Sequence, residues 1–376
     1  MVVVGTRPEA IKMAPVILAL QDSPLGCFVL NTGQHKDMLD SALRVFGITA
    51  DSHLGLMKKG QTLGELTALG ILKMSSVLRS VGPEMVLVHG DTTSAYAAAV
   101  AAFYLDTPVG HVEAGLRTHN LQAPFPEEFN RQSIARIASM NFAPTSLAAS
   151  NLFNEGVSPE KVSIPGNTIV DAVSLVVGKY LTNPKWLYEK QAEIRETYFS
   201  SFGSSPYAIV TLHRRENRGA GFSRILSAIR TSAQENPWFH FVFPVHPNPI
   251  ISEVVKAVLA EFDNVHLTEP LDYLSFMTLL AYSNFSLSDS GGIQEESVTL
   301  NKKIFVARDE TERPEGMLSG NIVIVGSDES RVRDNLLREI SESVPVTAIA
   351  VNLDNNPFGG GDASKRIVRE LMQLLA

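Results

Sequence analysis

The chain has 376 residues, of which 44% are hydrophobic and 19% charged, with a formal net charge of −8. That is enough apolar chain for two domains with real cores, and the acidic balance without a Lys/Arg run argues against a nucleic-acid partner. A single cysteine, Cys27, excludes an internal disulfide and argues against a metal cluster. No stretch reaches the ~18 uninterrupted apolar residues of a membrane span. The opening MVVVGTRPEA carries no secretion signal, so the expected location is the cytoplasm.

Short β-branched runs then alternate with amphipathic segments. Residues 2–4 read as a strand followed by a helix over 8–20; a strand at 28–31 follows, then a helix at 63–78, a strand at 85–89 and an Ala-rich helix at 93–104. Strands at 109–112, 140–143 and 162–164 complete the first half, and a polar helical stretch at 185–201 leads into the second. There the strands fall at 207–212, 239–245, 265–267, 285–288, 304–307 and 322–325, and a last helix spans 365–375 after NNPFGGGDAS. This alternation predicts an α/β protein with two Rossmann-like, doubly wound parallel sheets, and the nearly continuous apolar strands fit sheets buried on both faces. The expected domains are 1–167 and 168–361, with 362–376 packing back on the first.

In open parallel sheets, ligands bind beyond the carboxyl ends of the strands. After the first strand comes Gly5-Thr6-Arg7-Pro8-Glu9, with Lys12 one turn on. Pro8 suits a first helical turn, so Arg7 and Lys12 stand near the positive end of a helix, where an anion is welcome. The turn is not the Gly-x-Gly-x-x-Gly of a dinucleotide binder, so no nicotinamide cofactor is expected. Asp91 follows the strand at 85–89, Glu113 follows the strand at 109–112, and Glu127 opens a helix after Pro124-Phe125-Pro126. Taken singly each has a plain structural role, Asp91 as an N-cap and Glu127 as a complement to the helix dipole. Taken together, three carboxylates facing an Arg and a Lys suit acid–base chemistry at carbon, which needs a donor and an acceptor within reach of one atom.

In the second half His213 heads the basic cluster His213-Arg214-Arg215, and His246 ends another strand. The sharpest local signal is Ser288-Asp289-Ser290-Gly291-Gly292, where a strand turns into a helix. Ser and two Gly there leave backbone N–H groups open to a phosphate. Glu296, one turn later, is placed to accept from a ribose diol, and Arg313 offers a further cation.

The stretches GTRPEAIKMAP, GQHKDMLD, VLVHGDTT, PVGHVEAGLRT, PFPEEFNR, PGNTIVDA, HRREN, PVHPNP, SDSGGIQEE and TERPE, in this order, resemble the non-hydrolysing UDP-N-acetylglucosamine 2-epimerases over nearly the whole chain. The resemblance implies the two-domain fold of GT-B glycosyltransferases, with the sheets facing a central cleft, and cytoplasmic homodimers that need neither cofactor nor metal. It implies a catalytic set of Arg7, Lys12, Asp91, Glu113, Glu127 and His213. It also implies a UDP-binding set of Arg7, His213, Phe276, Ser290, Gly291, Gly292, Glu296 and Arg313, with the uracil near Phe276.

The family's reaction eliminates UDP across C1–C2 to give 2-acetamidoglucal and adds it back with the opposite C2 configuration. Rival readings are a hydrolysing relative that releases N-acetylmannosamine and UDP, a sister epimerase acting on another UDP-2-acetamido sugar, a GT-B glycosyltransferase, and a sensor without turnover. Closure over the sugar is expected to hinge near 167–172 and 357–361. The chain departs from the family pattern in QEESVTLNKKIFVARDETERPE, which loses a proline and a glycine after the phosphate turn and carries Glu310, and in NPFGGG. It departs again at Gly33-Gln34-His35-Lys36-Asp37, where many bacterial members contact an activating second UDP-N-acetylglucosamine.

Overall fold

A computed structural model describes residues 1–33, 36–58, 60–212, 219–246 and 248–375, with the side chains of 36–38 left aside. The chain divides into two compact units, Met1–Leu175 with Phe358–Ala376, and Val176–Pro357.

The first unit runs β1 (Val2–Val4), α1 (Arg7–Gln21), β2 (Val29–Asn31), α2 (Lys36–Val45), β3 (Ser52–His53), α3 (Leu63–Val81), β4 (Val86–His89) and α4 (Thr93–Phe103). It continues with β5 (Val109–Val112), α5 (Glu127–Ile137), β6 (Met140–Phe142), α6 (Ser146–Asn154), β7 (Val162–Ser163) and α7 (Thr168–Val176), which ends at the division. Among the described residues its sheet has seven parallel strands in the order β3-β2-β1-β4-β5-β6-β7. The chain winds outward in one direction from β1 and in the other from β4, so the strand order reverses between them. Such a reversal opens a crevice at the carboxyl ends of the two strands.

Small residues bring the layers close. Ala95, Ala98, Ala99, Ala101 and Ala102 of α4 pack in the core with Val3, Val86 and Val88. A Cβ on Gly70 of α3 would stand 2.9 Å from the Ala97 Cβ, so the two helices meet almost backbone to backbone.

The second unit runs α8 (Pro184–Thr197), β8 (Tyr207–Thr211), α9 (Ala220–Glu235), β9 (His240–Pro244), α10 (Pro249–Leu259), β10 (Val265–Thr268) and α11 (Tyr273–Tyr282). After these come β11 (Phe285–Ser288), α12 (Gly291–Thr299), β12 (Lys303–Val306), α13 (Pro314–Met317), β13 (Ile322–Ile324) and α14 (Glu329–Ser341). Its sheet, again parallel, has the order β10-β9-β8-β11-β12-β13 among the described residues, and reverses between β8 and β11. The core here is aromatic rather than alanine-built: Phe239 stacks on Phe285 at 5.5 Å, with Phe241 and Phe305 edge-on. Helix α8 ends at Thr197, short of the expected 201, because Phe199 and Phe202 turn inward against Tyr207.

The last helix, α15 (Ala363–Leu374), lies in the first unit. Buried Asp171 of α7 accepts the backbone N–H groups of Ala363 (3.2 Å) and Ser364 (2.9 Å), satisfying donors that a helix start otherwise leaves open. Ile367, Val368 and Leu371 bury the apolar face of α15. Among the described residues no helix is long and apolar enough to cross a membrane.

Candidate active site

The reversal between β1 and β4 brings the turn Gly5-Thr6-Arg7 beside the turn Gly90-Asp91-Thr92. Arg7 is half-buried at the first position of α1, which opens with a Thr6/Glu9 capping box. Lys12, one turn further, is only 4% exposed.

Lys12 Nζ forms an ion pair with Glu113 Oε2, joining α1 to the mouth of β5, and buried His89 places Nε2 3.8 Å from the same oxygen. Two opposite charges in a buried place compensate each other, whereas either one alone would be costly. Glu113 adopts φ 63, a left-handed backbone that non-glycine residues rarely take. The carboxyl lies against the neighbouring turn, since a Cβ on Gly90 would stand 3.7 Å from Glu113 Oε1. Gly115, two residues on, has no such freedom of replacement: with φ 91, its Cβ would fall 2.1 Å from the Ala148 carbonyl oxygen.

Asp91 is half-buried, with Oδ2 3.7 Å from Arg131 Nη1. Its turn is held residue by residue. His111 of β5 donates Nε2–H to the Gly90 carbonyl (2.7 Å), Asn130 Nδ2 of α5 donates to the Asp91 carbonyl (2.8 Å), and the Thr92 hydroxyl donates to Glu9 Oε1 (2.6 Å). Burial pulls the pKa of His111 down to about 4, so the ring is neutral at neutral pH and its proton serves that one carbonyl.

Glu127 opens α5, half-buried, and its Oε2 is buried without a hydrogen-bond partner among the described residues. The adjacent Glu128 is fully buried and structural: it accepts the N–H groups of Thr118 (3.0 Å) and His119 (3.1 Å) and pairs with Arg131 Nε at 2.9 Å. Burial pushes the Glu128 pKa up, but hydrogen bonds from Thr118 and Gln132 and the Arg131 charge outweigh it and leave the group below its ordinary value. Neighbours in sequence point about 100° apart on a helix, which separates the two carboxylates.

In the second unit Ser290 is the N-cap of α12 and donates its N–H to Ser288 Oγ (3.0 Å); Gly291 and Gly292 form the first helical turn. Arg313 stands over this turn, its Cζ 3.3 Å from where a Gly291 Cβ would be. The guanidinium is held by Glu295 (Nε to Oε1, 2.7 Å) and Glu312 (Nη1 to Oε2, 2.9 Å). Glu296 is 7% exposed within α12, and Phe276 is buried in α11, whose N-cap Asp272 accepts the Ser275 N–H. His213 lies outside the described residues, as do Gln34 and His35. Asn301, after α12, takes φ 53, a left-handed conformation that asparagine tolerates.

The structure thus joins Lys12 to Glu113 in the first unit, and Gly291 to Arg313 in the second. The sequence reading overlooked Glu9, His89, His111, Asn130, Arg131 and Glu295. For Glu9 a signal existed: Thr6-x-x-Glu9 is a capping-box spacing.

Two parallel sheets of this winding, one opening on paired acid and basic side chains and the other on a Ser-Gly-Gly helix start, define a protein of the two-unit GT-B type. The family model for UDP-N-acetylglucosamine 2-epimerase matches residues 18–372. The UDP-N-acetylglucosamine 2-epimerase of Neisseria meningitidis is 43% identical over 374 residues, 99% of this chain and 98% of the relative. That of Bacillus subtilis is 40% identical over 373 residues, 99% of this chain and 94% of the relative. A crystal structure of the Neisseria meningitidis enzyme bound to UDP-GlcNAc matches with a TM-score of 0.91 at 41% identity, covering 99% of each chain. This chain belongs to the UDP-N-acetylglucosamine 2-epimerase family.

Proposed function

We propose that the chain interconverts UDP-N-acetylglucosamine and UDP-N-acetylmannosamine by eliminating UDP and adding it back. The observation that carries this reading is the buried Lys12–Glu113 pair, with the Glu113 carboxyl against the Gly90-Asp91 turn. The hydrogen at C2 of the sugar is not acidic, so its removal has to accompany departure of a leaving group. A base takes the C2 proton as the bond from C1 to the UDP oxygen breaks; the C–H electron pair becomes the C1=C2 double bond of 2-acetamidoglucal, and UDP leaves with the C1–O pair. In the return step C2 receives a proton on the opposite face and the UDP oxygen bonds to C1 again.

Asp91, Glu113 and Glu127 handle the C2 proton, a task worth ~10²–10⁴ in rate. Arg7, His213, Arg313 and the Ser290–Gly292 turn stabilise the departing diphosphate, while Glu296 accepts from the ribose and Phe276 lies by the uracil. The acid–base groups belong to the first unit and most of the nucleotide groups to the second.

Incubation with UDP-N-acetylglucosamine in heavy water, followed by NMR, tests the reading. The expected product is UDP-N-acetylmannosamine with deuterium at C2 and UDP attached. Free N-acetylmannosamine with UDP would make the chain a hydrolase, and epimerised product that retains protium at C2 would overturn the elimination.

A further inference from the structure

Glu9 is 2% exposed and belongs to the capping box of α1. A capping-box glutamate ordinarily does no more than accept the N–H of its own N-cap residue. Glu65 of α3 is of that kind: exposed to solvent, it takes the Thr62 N–H (2.8 Å) and the Thr62 hydroxyl (2.8 Å), all within one turn of chain. Glu9 is used differently. Its Oε2 accepts the N–H groups of Gly5 (2.8 Å) and Thr6 (2.6 Å), and its Oε1 accepts the hydroxyl of Thr92, 83 positions away, at 2.6 Å.

The Thr92 hydroxyl does both jobs at once, donating its proton to Glu9 while accepting the Ala95 N–H (3.1 Å) as the N-cap of α4. One carboxylate therefore joins the turn after β1 to the turn after β4, across the reversal in strand order. The first turn leads into Arg7, and the second contains Asp91. His111 and Asn130 hold the second turn by its carbonyls, and Glu9 holds it to the first.

We propose that Glu9 is a positioning residue for C2 proton transfer, fixing the turn that carries Asp91 against the turn that carries Arg7 through the Thr92 hydroxyl. This assignment rests on the epimerase reading above. Displacing a reacting group by about 1 Å costs roughly a hundredfold in rate, so the signature of Glu9 is a loss in turnover rather than in substrate affinity.

The test is a double-mutant cycle of E9Q and T92V, with T92S and E65Q as companions, reading kcat, KM for UDP-N-acetylglucosamine, deuterium incorporation at C2 and the thermal melt. E9Q and T92V are each expected to lower kcat roughly tenfold to a hundredfold with KM within about threefold of wild type. The double variant is expected to be no slower than the slower single one, because both remove the same bond. T92S, which keeps the hydroxyl, is expected to recover most of what T92V loses, and E65Q to match wild type. Losses that multiply in the double variant, or that appear in KM, would overturn the assignment; if E9Q fails to fold, T92V against T92S decides it. Wild-type protein that puts no deuterium at C2 would sink the epimerase reading itself, whereas wild-type exchange with E9Q and T92V unimpaired would sink the role of Glu9 alone.

Discussion

The mouths of β4 and β5 in the first unit and the mouth of β11 in the second treat charge in opposite ways. In the first, the groups that matter are side chains, and the backbone beneath them is gripped: His111, Asn130 and Glu9 hold three successive residues of the Asp91 turn. In the second, the backbone itself is offered at Gly291–Gly292, and the nearby cation Arg313 is already held by Glu295 and Glu312. A proton has to be transferred at one atom, so its handlers need angular precision. A diphosphate is a diffuse charge that many N–H groups can share. On the roles proposed above, the contrast puts rigidity with the acid–base side chains and open backbone with the nucleotide.

Glu113→Gln breaks the first side of this contrast most severely. It removes the charge that Lys12 compensates and is expected to lower kcat by ~10²–10⁴. Asp91→Asn is expected to fall in the same range, read from initial rates by NMR. Turnover within a few-fold of wild type in both variants would remove these carboxylates from the chemistry.

Gly292→Ala probes the second side. Among the described residues no atom lies within 4 Å of where its Cβ would be, and its φ is not of the left-handed kind, so the fold accommodates the methyl group. Alanine favours a helix over glycine by about 1 kcal/mol, so the melting temperature is expected to hold or rise. UDP is nevertheless expected to bind about tenfold more weakly by calorimetry, because a phosphate that bonds these N–H groups comes within contact of that Cβ. Unchanged UDP affinity would place the phosphate elsewhere.

His111→Gln has the smallest expected effect and sharpens the meaning of the grip on Gly90. Native His111 takes up its proton only near pH 4, whereas the unfolded chain does so near 6.5. The unfolded state therefore binds more protons between these values. Stability present above pH 6.5 is lost as the pH falls towards 4, by roughly 3 kcal/mol for this residue. Glutamine keeps a donor for the carbonyl and does not titrate, so the drop in melting temperature between pH 7 and 4.5 is expected to shrink by a few degrees. A drop equal to that of wild type would mean that His111 is not the neutral, buried donor.

Much of the fold was legible because strands buried on both faces are nearly unbroken apolar runs, as at Val2–Val4 and Val86–His89. The edge strand β3 escaped notice because Ser52–His53 is two polar residues long. Asp91 and Glu113 were legible because topology places whatever follows a strand at the sheet's mouth. Their supports were not. Lys12 and Glu113 are 101 positions apart, and their meeting depends on how β1 and β5 are spaced around β4. The capping box of Glu9 could be read from spacing, but its bond to Thr92 is tertiary.

The backbone at Glu113, with φ 63, has a consequence of its own. A left-handed residue with a Cβ costs on the order of 1–3 kcal/mol, which glycine would recover. Glycine at 113 would nevertheless strip the buried Lys12 of its counter-charge, a loss of about 3–5 kcal/mol. The ion pair therefore outweighs the strain and keeps a side chain on a peptide unit that would otherwise favour none.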